Sequence, residues 1–204
     1  SSKLRHRLLA FLHQWEENHT HQLCDHLVVI SRKLYDFYKP RFSEPKITLL
    51  PVIVDFSRFS HLNGQYQKPK RIGYIGSFGT KDGVPGIVEA FAQAKVVVPD
   101  LKLRLLGDAQ HHTYLEKALH AHNLNGSVEI TGQVLYDEIP DLLHDCDLLI
   151  LNRPATTYAA YGFATKLGEY LASGQPTLVS KVGDPVAYLQ DHQEAVFVEP
   201  DDQQ

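Results

Sequence analysis

From Arg71 to the end of the chain one cycle repeats, in which a short apolar run is followed by a longer segment whose apolar residues recur at helical spacing. This alternation limits the possible folds more than any other feature. The spacing predicts strands at Arg71 to Ile75, Leu101 to Leu106, Val128 to Thr131, Leu148 to Leu151, Thr177 to Ser180 and Ala195 to Val198. It predicts helices at about Val84 to Lys95, His112 to Asn123, Tyr136 to His144, Thr165 to Ser173 and Pro185 to His192. Strands joined through helices of this length need right-handed crossovers, so the sheet is parallel and covered on both faces. The fold class is α/β, a Rossmann-like doubly wound parallel sheet, and such sheets bind ligands at the carboxyl ends of their strands.

Ahead of this region the pattern is less regular. Leu4, Leu8, Leu9, Phe11, Leu12 and Trp15 mark one amphipathic helix, with Lys3, Arg5 and Arg7 off the apolar stripe. It reads first as a packing helix, and second as a basic helix that touches a membrane surface. Leu27 to Ile30 reads as a buried strand, with Ser31 as the N-cap of a helix that stops before Pro40. Ile47 to Leu50 reads as another strand closed by Pro51, and Asn63 to Lys70 as a polar connector.

Composition excludes several classes. The formal net charge of −4 provides no basic field for nucleic acid, so a phosphate ligand must be held by local groups. Cys24 and Cys146 each adjoin an apolar run, which suits buried small residues in a reducing cytosol better than a disulfide or metal ligands. The 12 histidines, among them His19, His21, His111, His112, His120 and His122, lack a recognised ligand spacing, so no metal site is expected. No apolar stretch approaches a membrane span. Ser31, Ser77 and Ser180 show no nucleophile-elbow pattern, so a hydrolase triad is not expected.

Two segments carry chemistry. The turn from Gly76 to Gly83 follows the first strand of the regular region, and its glycines let the backbone approach a ligand closely. The segment Tyr161-Gly162-Phe163-Ala164-Thr165-Lys166-Leu167-Gly168-Glu169 opens a helix. Amides around Ala164 to Leu167 are expected to lack an intrahelical acceptor, and Lys166 places a cation where the helix dipole disfavours one, which an anionic ligand would compensate. Glu169, one turn on, is placed to accept hydroxyl hydrogens from a polyol such as ribose.

Thr165-Lys166-Leu167-Gly168-Glu169-Tyr170-Leu171-Ala172-Ser173-Gly174-Gln175-Pro176 resembles the signature helix of the GT-B glycosyltransferases of glycosyltransferase family 4, also described as glycosyl transferases group 1. The likeness continues in register through Asp25 to Ser31, Leu50 to Phe59, Tyr74 to Phe78, Leu105 to Asp108, Ile130 to Gly132 and Asp147 to Leu151. It implies three parts: residues 1–50, a remnant of the acceptor domain; 51–69, an interdomain linker; and 70–204, a nucleotide-sugar-binding domain truncated at its C-terminus.

The resemblance also implies roles. Ala164 to Leu167 would hold the donor diphosphate, Lys166 would neutralise it, and Glu169 would bind the ribose. Gln133 and Val134 would meet the nucleobase, while Gly76 and Ser77 would lie beside the phosphates. Tyr161, Gly162, Phe163 and Lys81 complete the candidate donor site, and the catalytic residues are not assigned. The expected activity is a retaining hexosyl transfer from a UDP-sugar or GDP-sugar to a saccharide or lipid-linked acceptor, with no other cofactor. It belongs to polysaccharide biosynthesis in the cytoplasm, with peripheral contact at the inner membrane face; without its acceptor domain, this chain is expected to bind nucleotide but not transfer sugar.

Some residues depart from the family pattern. Tyr161 stands eight before Glu169, where many members have a second glutamate. Ser77 and Asp82 occupy the places of a common arginine and lysine, with Lys81 displaced by one residue. Val52-Ile53 replaces a common Asn-Gly. A carboxylate beside a diphosphate is unfavourable, so Asp82 is expected to turn away. These departures keep a non-catalytic nucleotide- or partner-binding module open as an alternative, along with a sugar-nucleotide epimerase of the same fold.

Overall fold

The computed structural model describes residues 15, 16, 19, 24–42, 46–62, 70–78, 82–108 and 113–200. The helix expected over Leu4 to Trp15 lies outside these residues apart from Trp15, as does most of the connector after Leu62. The chain divides into two compact units, Ser1–Pro51 and Val52–Gln204.

In the first unit, β1 (Leu27–Val29) pairs in parallel with β2 (Ile47–Leu49), aligning Leu27 with Ile47. Between them runs α1 (Arg32–Tyr38), and the Ser31 hydroxyl accepts from the Leu34 amide at 3.2 Å, as expected of a serine cap. Val29, Phe42 and Ile47 form a small core on which Tyr35 and Tyr38 pack.

The second unit opens with a 3-10 turn (Phe56–Phe59) that the apolar pattern did not reveal, started by Asp55, whose carboxylate accepts from the Ser57 amide at 2.9 Å. Its main body alternates β3 (Arg71–Ile75), α2 (Val84–Val97), β4 (Lys102–Leu106), α3 (Thr113–Ala121), β5 (Val128–Ile130), a second 3-10 turn (Tyr136–Glu138) leading into α4 (Ile139–His144), and β6 (Leu148–Leu151). Then come α5 (Thr157–Tyr161), α6 (Lys166–Ala172), β7 (Thr177–Ser180), α7 (Pro185–Tyr188) and β8 (Val196–Val198). All six strands of this unit are parallel, in the order β5-β4-β3-β6-β7-β8. This is the doubly wound sheet that the alternation predicts. Further differences from expectation are that α5 is additional, capped by the Thr156 hydroxyl accepting from the Ala159 amide, that the helix expected from Tyr136 begins as a 3-10 turn, and that α7 stops at Tyr188 rather than near His192.

Side chains alternate along each strand, so the central strands β3, β4 and β6 each feed two cores. On one face Ile72 and Tyr74 of β3, and Leu103 and Leu105 of β4, pack with Val84, Ile87, Val88 and Phe91 of α2. On the other, Ile75, Leu106, Leu149 and Leu151 pack with Leu143 of α4 and with Leu167 and Tyr170 of α6. Each fully buried leucine or phenylalanine stabilises the fold by about 1.5–3 kcal/mol. Gly73, on the second face, is a packing requirement, because a Cβ there would lie 2.6 Å from Cys146 Sγ and 2.9 Å from Leu149 Cδ2.

The chain winds outward from β3 to β5 on one side and from β6 to β8 on the other. Between β3 and β6 the direction reverses, so the loops leaving these two strands diverge and open a crevice at their carboxyl ends. Cys146 lies buried and Cys24 half-buried, both as free thiols, in keeping with the packing role expected of them.

Candidate functional site

The loop after β3 forms one wall of this crevice. The Gly76 amide still bonds to the Leu106 carbonyl at 2.9 Å, but its φ of +145° turns the chain through a conformation that favours glycine. A Cβ there would also meet Lys166 Cε and Nζ at 2.6 Å. Ser77 is exposed, while Phe78 is buried and fixes the loop to the core. The Tyr74 hydroxyl donates to the Ser77 carbonyl at 2.7 Å; burial, with Asp82 nearby, raises its pKa, so it stays a donor. Gly79, Thr80 and Lys81 lie outside the described residues.

The opposite wall is the start of α6. No side chain caps this end at Thr165. The Leu167 amide donates to the Ala164 carbonyl at 3.0 Å, which corrects the expectation that all amides from Ala164 to Leu167 lack an acceptor. A tight turn before the helix accounts for this, Thr165 itself being in the α region. Ala164 and Leu167 are buried, Gly162, Phe163 and Tyr161 half-buried, and Thr165 exposed. α6 is held to the sheet because the Ile75 amide donates to the buried Tyr170 hydroxyl at 2.9 Å.

Lys166 and Asp82 join the two walls. Lys166 Nζ donates to Asp82 Oδ1 at 2.8 Å and to the Tyr74 hydroxyl at 3.2 Å, and it lies 4.9 Å from the centre of the Tyr74 ring. Ser77 Oγ donates to the other Asp82 oxygen at 2.7 Å. The expectation that Asp82 turns away is therefore corrected: it is buried in the site as the partner of Lys166. Two cations near one carboxylate make its inward position favourable, since Arg153 also feels the Asp82 charge.

Glu169 has a different partner. Val54 lies against Gly168, whose added Cβ would come within 3.3 Å of it, and this contact brings the following 3-10 turn along α6. Arg58 Nη1 donates to Glu169 Oε1 at 3.3 Å, Nη2 donates to the Tyr136 carbonyl, and the guanidinium lies 3.4 Å from the centre of the Tyr136 ring. Lys166 and Glu169 thus face separate partners rather than forming a solvated pair with each other. Gln133 and Val134 follow Gly132 at the end of β5, with Gln133 exposed and Val134 packed on the core a few residues before Tyr136.

The third wall is the loop after β6. Asn152 Nδ2 donates to the Gly83 carbonyl at 2.9 Å, fastening this loop to the start of α2. The Arg153 amide donates to Ser180 Oγ at 2.8 Å, and that hydroxyl lies 3.1 Å from the Arg153 carbonyl. Arg58, Tyr74, Asn152 and Arg153 did not emerge from sequence reasoning. A signal existed for Arg153 alone, as a cation separated by one residue from the end of an apolar strand. Among the described residues no group of three or more His, Cys, Asp or Glu could hold a metal ion, and no helix is long and apolar enough to cross a membrane.

The six-stranded parallel sheet with helices between its strands makes this an α/β domain of the Rossmann-like class, and the family model for glycosyl transferases group 1 matches residues 55–204. The chain belongs to this family. No curated protein sequence is matched. Among solved structures, HepE of Anabaena, crystallised with UDP and glucose, is similar with a TM-score of 0.72 at 17% identity, over 89% of this chain and 51% of its own. TarM of S. aureus, in complex with fondaparinux, alpha-GlcNAc-glycerol and UDP, gives 0.71 at 14% identity, over 94% and 37%. The pneumococcal O-GlcNAc transferase GtfA, in complex with UDP and GlcNAc, gives 0.68 at 16% identity, over 91% and 36%. At these identities the likeness is one of fold, the GT-B glycosyltransferase architecture, and the chain spans about half or less of each structure's length.

Proposed function

We propose that this chain supplies the donor-binding half of a retaining glycosyltransferase that uses a UDP-sugar or GDP-sugar and a saccharide or lipid-linked acceptor. Family membership supports the reaction class. The single observation that carries the site is Lys166, held across the switch-point crevice over Gly76 with its charge at the mouth of an α6 end that no side chain caps. In this reading the donor diphosphate displaces part of the Asp82 contact and takes the Lys166 ammonium. The Ser77 hydroxyl and the amides from Ala164 to Lys166 add donors. Glu169, steadied by Arg58, accepts from the ribose hydroxyls with its remaining lone pairs, and the main chain at Gln133 and Val134 meets the base.

Such a site acts by stabilising the charge that grows on the departing diphosphate as the sugar gains oxocarbenium character. Lys166 and the backbone donors provide that counter-charge in place. The groups that orient the acceptor belong to the other half of the architecture, so the chain alone binds nucleotide without transferring sugar.

Calorimetric titration with UDP, GDP and the corresponding sugar nucleotides tests this reading. Binding that both Lys166→Arg and Glu169→Gln weaken supports it. A folded chain that takes up no nucleotide at millimolar concentration overturns it, and favours a second reading, a partner-binding module in which Asp82 permanently satisfies Lys166.

A further inference from the structure

Arg153 differs from the other arginines packed into the second unit. Arg104 is held between Glu129 at 2.9 Å and Asp145 at 2.7 Å, and Arg58 between Glu169 and the Tyr136 carbonyl. The Arg153 guanidinium makes no hydrogen bond or ion pair with the described residues, although the residue is only 9% exposed and its Nε is buried without a partner. Burial lowers its pKa and the Asp82 charge offsets part of that effect, yet a guanidinium does not shed its proton near neutrality. A buried cation left in this way is costly and is rarely retained for stability alone.

Its position points to what it serves. The backbone of Arg153 is fixed to Ser180 at the end of β7, so the side chain leaves β6 in a set direction. Nη2 lies over Gly162, where a Cβ would come within 3.1 Å of it. The φ of −84° and ψ of 157° at Gly162 suit any residue, so the missing side chain is explained by space rather than by backbone. Lys166 and Arg153 share the single carboxylate of Asp82, which leaves one positive charge in excess at the crevice, among the described residues.

Building on the donor-site reading, we infer that Arg153 is a substrate-binding residue whose guanidinium, left open by Gly162, holds a phosphate oxygen of the nucleoside diphosphate. Its planar fork suits two oxygens of one phosphate.

The test is calorimetric titration of the native chain and of Arg153→Met and Gly162→Ala with UDP, GDP, uridine and guanosine, together with thermal unfolding of each form without ligand. Arg153→Met is expected to weaken diphosphate binding about 10- to 100-fold, the worth of a hydrogen bond to a charged group, and to leave nucleoside binding unchanged. Removing an unpaired buried charge is also expected to leave Tm unchanged or raised. Gly162→Ala keeps the charge but covers it, so it should weaken the diphosphate in the same direction; it serves alone should Arg153→Met not fold. Native binding of UDP or GDP with affinity undiminished in both variants overturns the role of Arg153 while leaving the donor-site reading intact. A lowered Tm with unchanged affinity in Arg153→Met marks a structural arginine and overturns it too. Absence of native binding to either diphosphate removes the donor-site reading, and this inference with it.

Discussion

Lys166 and Asp82, 84 positions apart in sequence, meet at 2.8 Å across the crevice between β3 and β6, both largely buried. The pair is structural as well as a candidate for ligand binding, which shapes how substitutions there must be read. Breaking a buried ion pair by removing one partner costs about 3–5 kcal/mol, chiefly because the other charge is left behind. Lys166→Met is therefore expected to lower stability in urea unfolding, and Lys166→Met combined with Asp82→Asn to recover most of the loss. A double variant as unstable as the single one would show that the two residues are not energetically coupled.

The Glu169 carboxylate provides a specificity prediction. If it accepts from ribose, the chain binds UDP more tightly than 2′-deoxy-UDP, by about tenfold or more for a hydrogen bond to a charged group. Glu169→Gln narrows that difference, and Arg58→Met does so more weakly by loosening the carboxylate. Equal affinity for the two nucleotides in the native chain would remove Glu169 from the ribose site.

Tyr170→Phe deletes the acceptor of the Ile75 amide inside the core. An unsatisfied buried donor costs about 1–3 kcal/mol, so the urea midpoint should fall by that equivalent with an unchanged slope. Nucleotide affinity should fall with it, because the same bond holds α6 against the end of β3.

Gly73→Ala forces a methyl group onto Cys146 Sγ and should cost about 1–3 kcal/mol through overpacking. Pairing it with Cys146→Ala relieves the closest contact and restores part of the stability. Thermal unfolding of the two single variants and the double variant measures the recovery.

Alkali provides a further test. Burial pushes the Cys146 thiol up to about 12 from an ordinary value of 9.0, and burial likewise raises the hydroxyls of Tyr74 and Tyr170. In each case the unfolded chain loses its proton first, so the contribution is complete below the unfolded pKa and is lost as pH rises toward the folded one. For Cys146 the window runs from about 9 to about 12, at a slope of about 1.4 kcal/mol per pH unit, and Cys146→Ala should make the decline shallower. Urea unfolding at a series of pH values reads this directly.

The fold was legible because its cause is periodic. Two-faced strands such as Leu148 to Leu151 are apolar throughout, and the helices between them carry their own spacing, so the six strands and their parallel orientation follow from pattern and handedness. The short α5 was not legible, as five residues from Thr157 to Tyr161 are too few to show a period. Of the candidate site, Lys166, Glu169 and Gly76 stood out through local chemistry. Their partners did not, because Arg58 reaches Glu169 from 111 positions away and Asp82 reaches Lys166 from 84. The carboxylate of Asp82 was misjudged for the same reason: its neighbourhood in sequence is a phosphate-type loop, while its neighbourhood in space contains two cations.

The hydroxyl of Ser180 ties the end of one strand to the peptide that carries Arg153. With Arg153 in the role inferred for it, position 180 would act on ligand preference without approaching a ligand. Drift at that serine would loosen the aim of a charge several ångströms away, so in related chains the two positions are expected to change together, and an engineer who alters one should carry the other along.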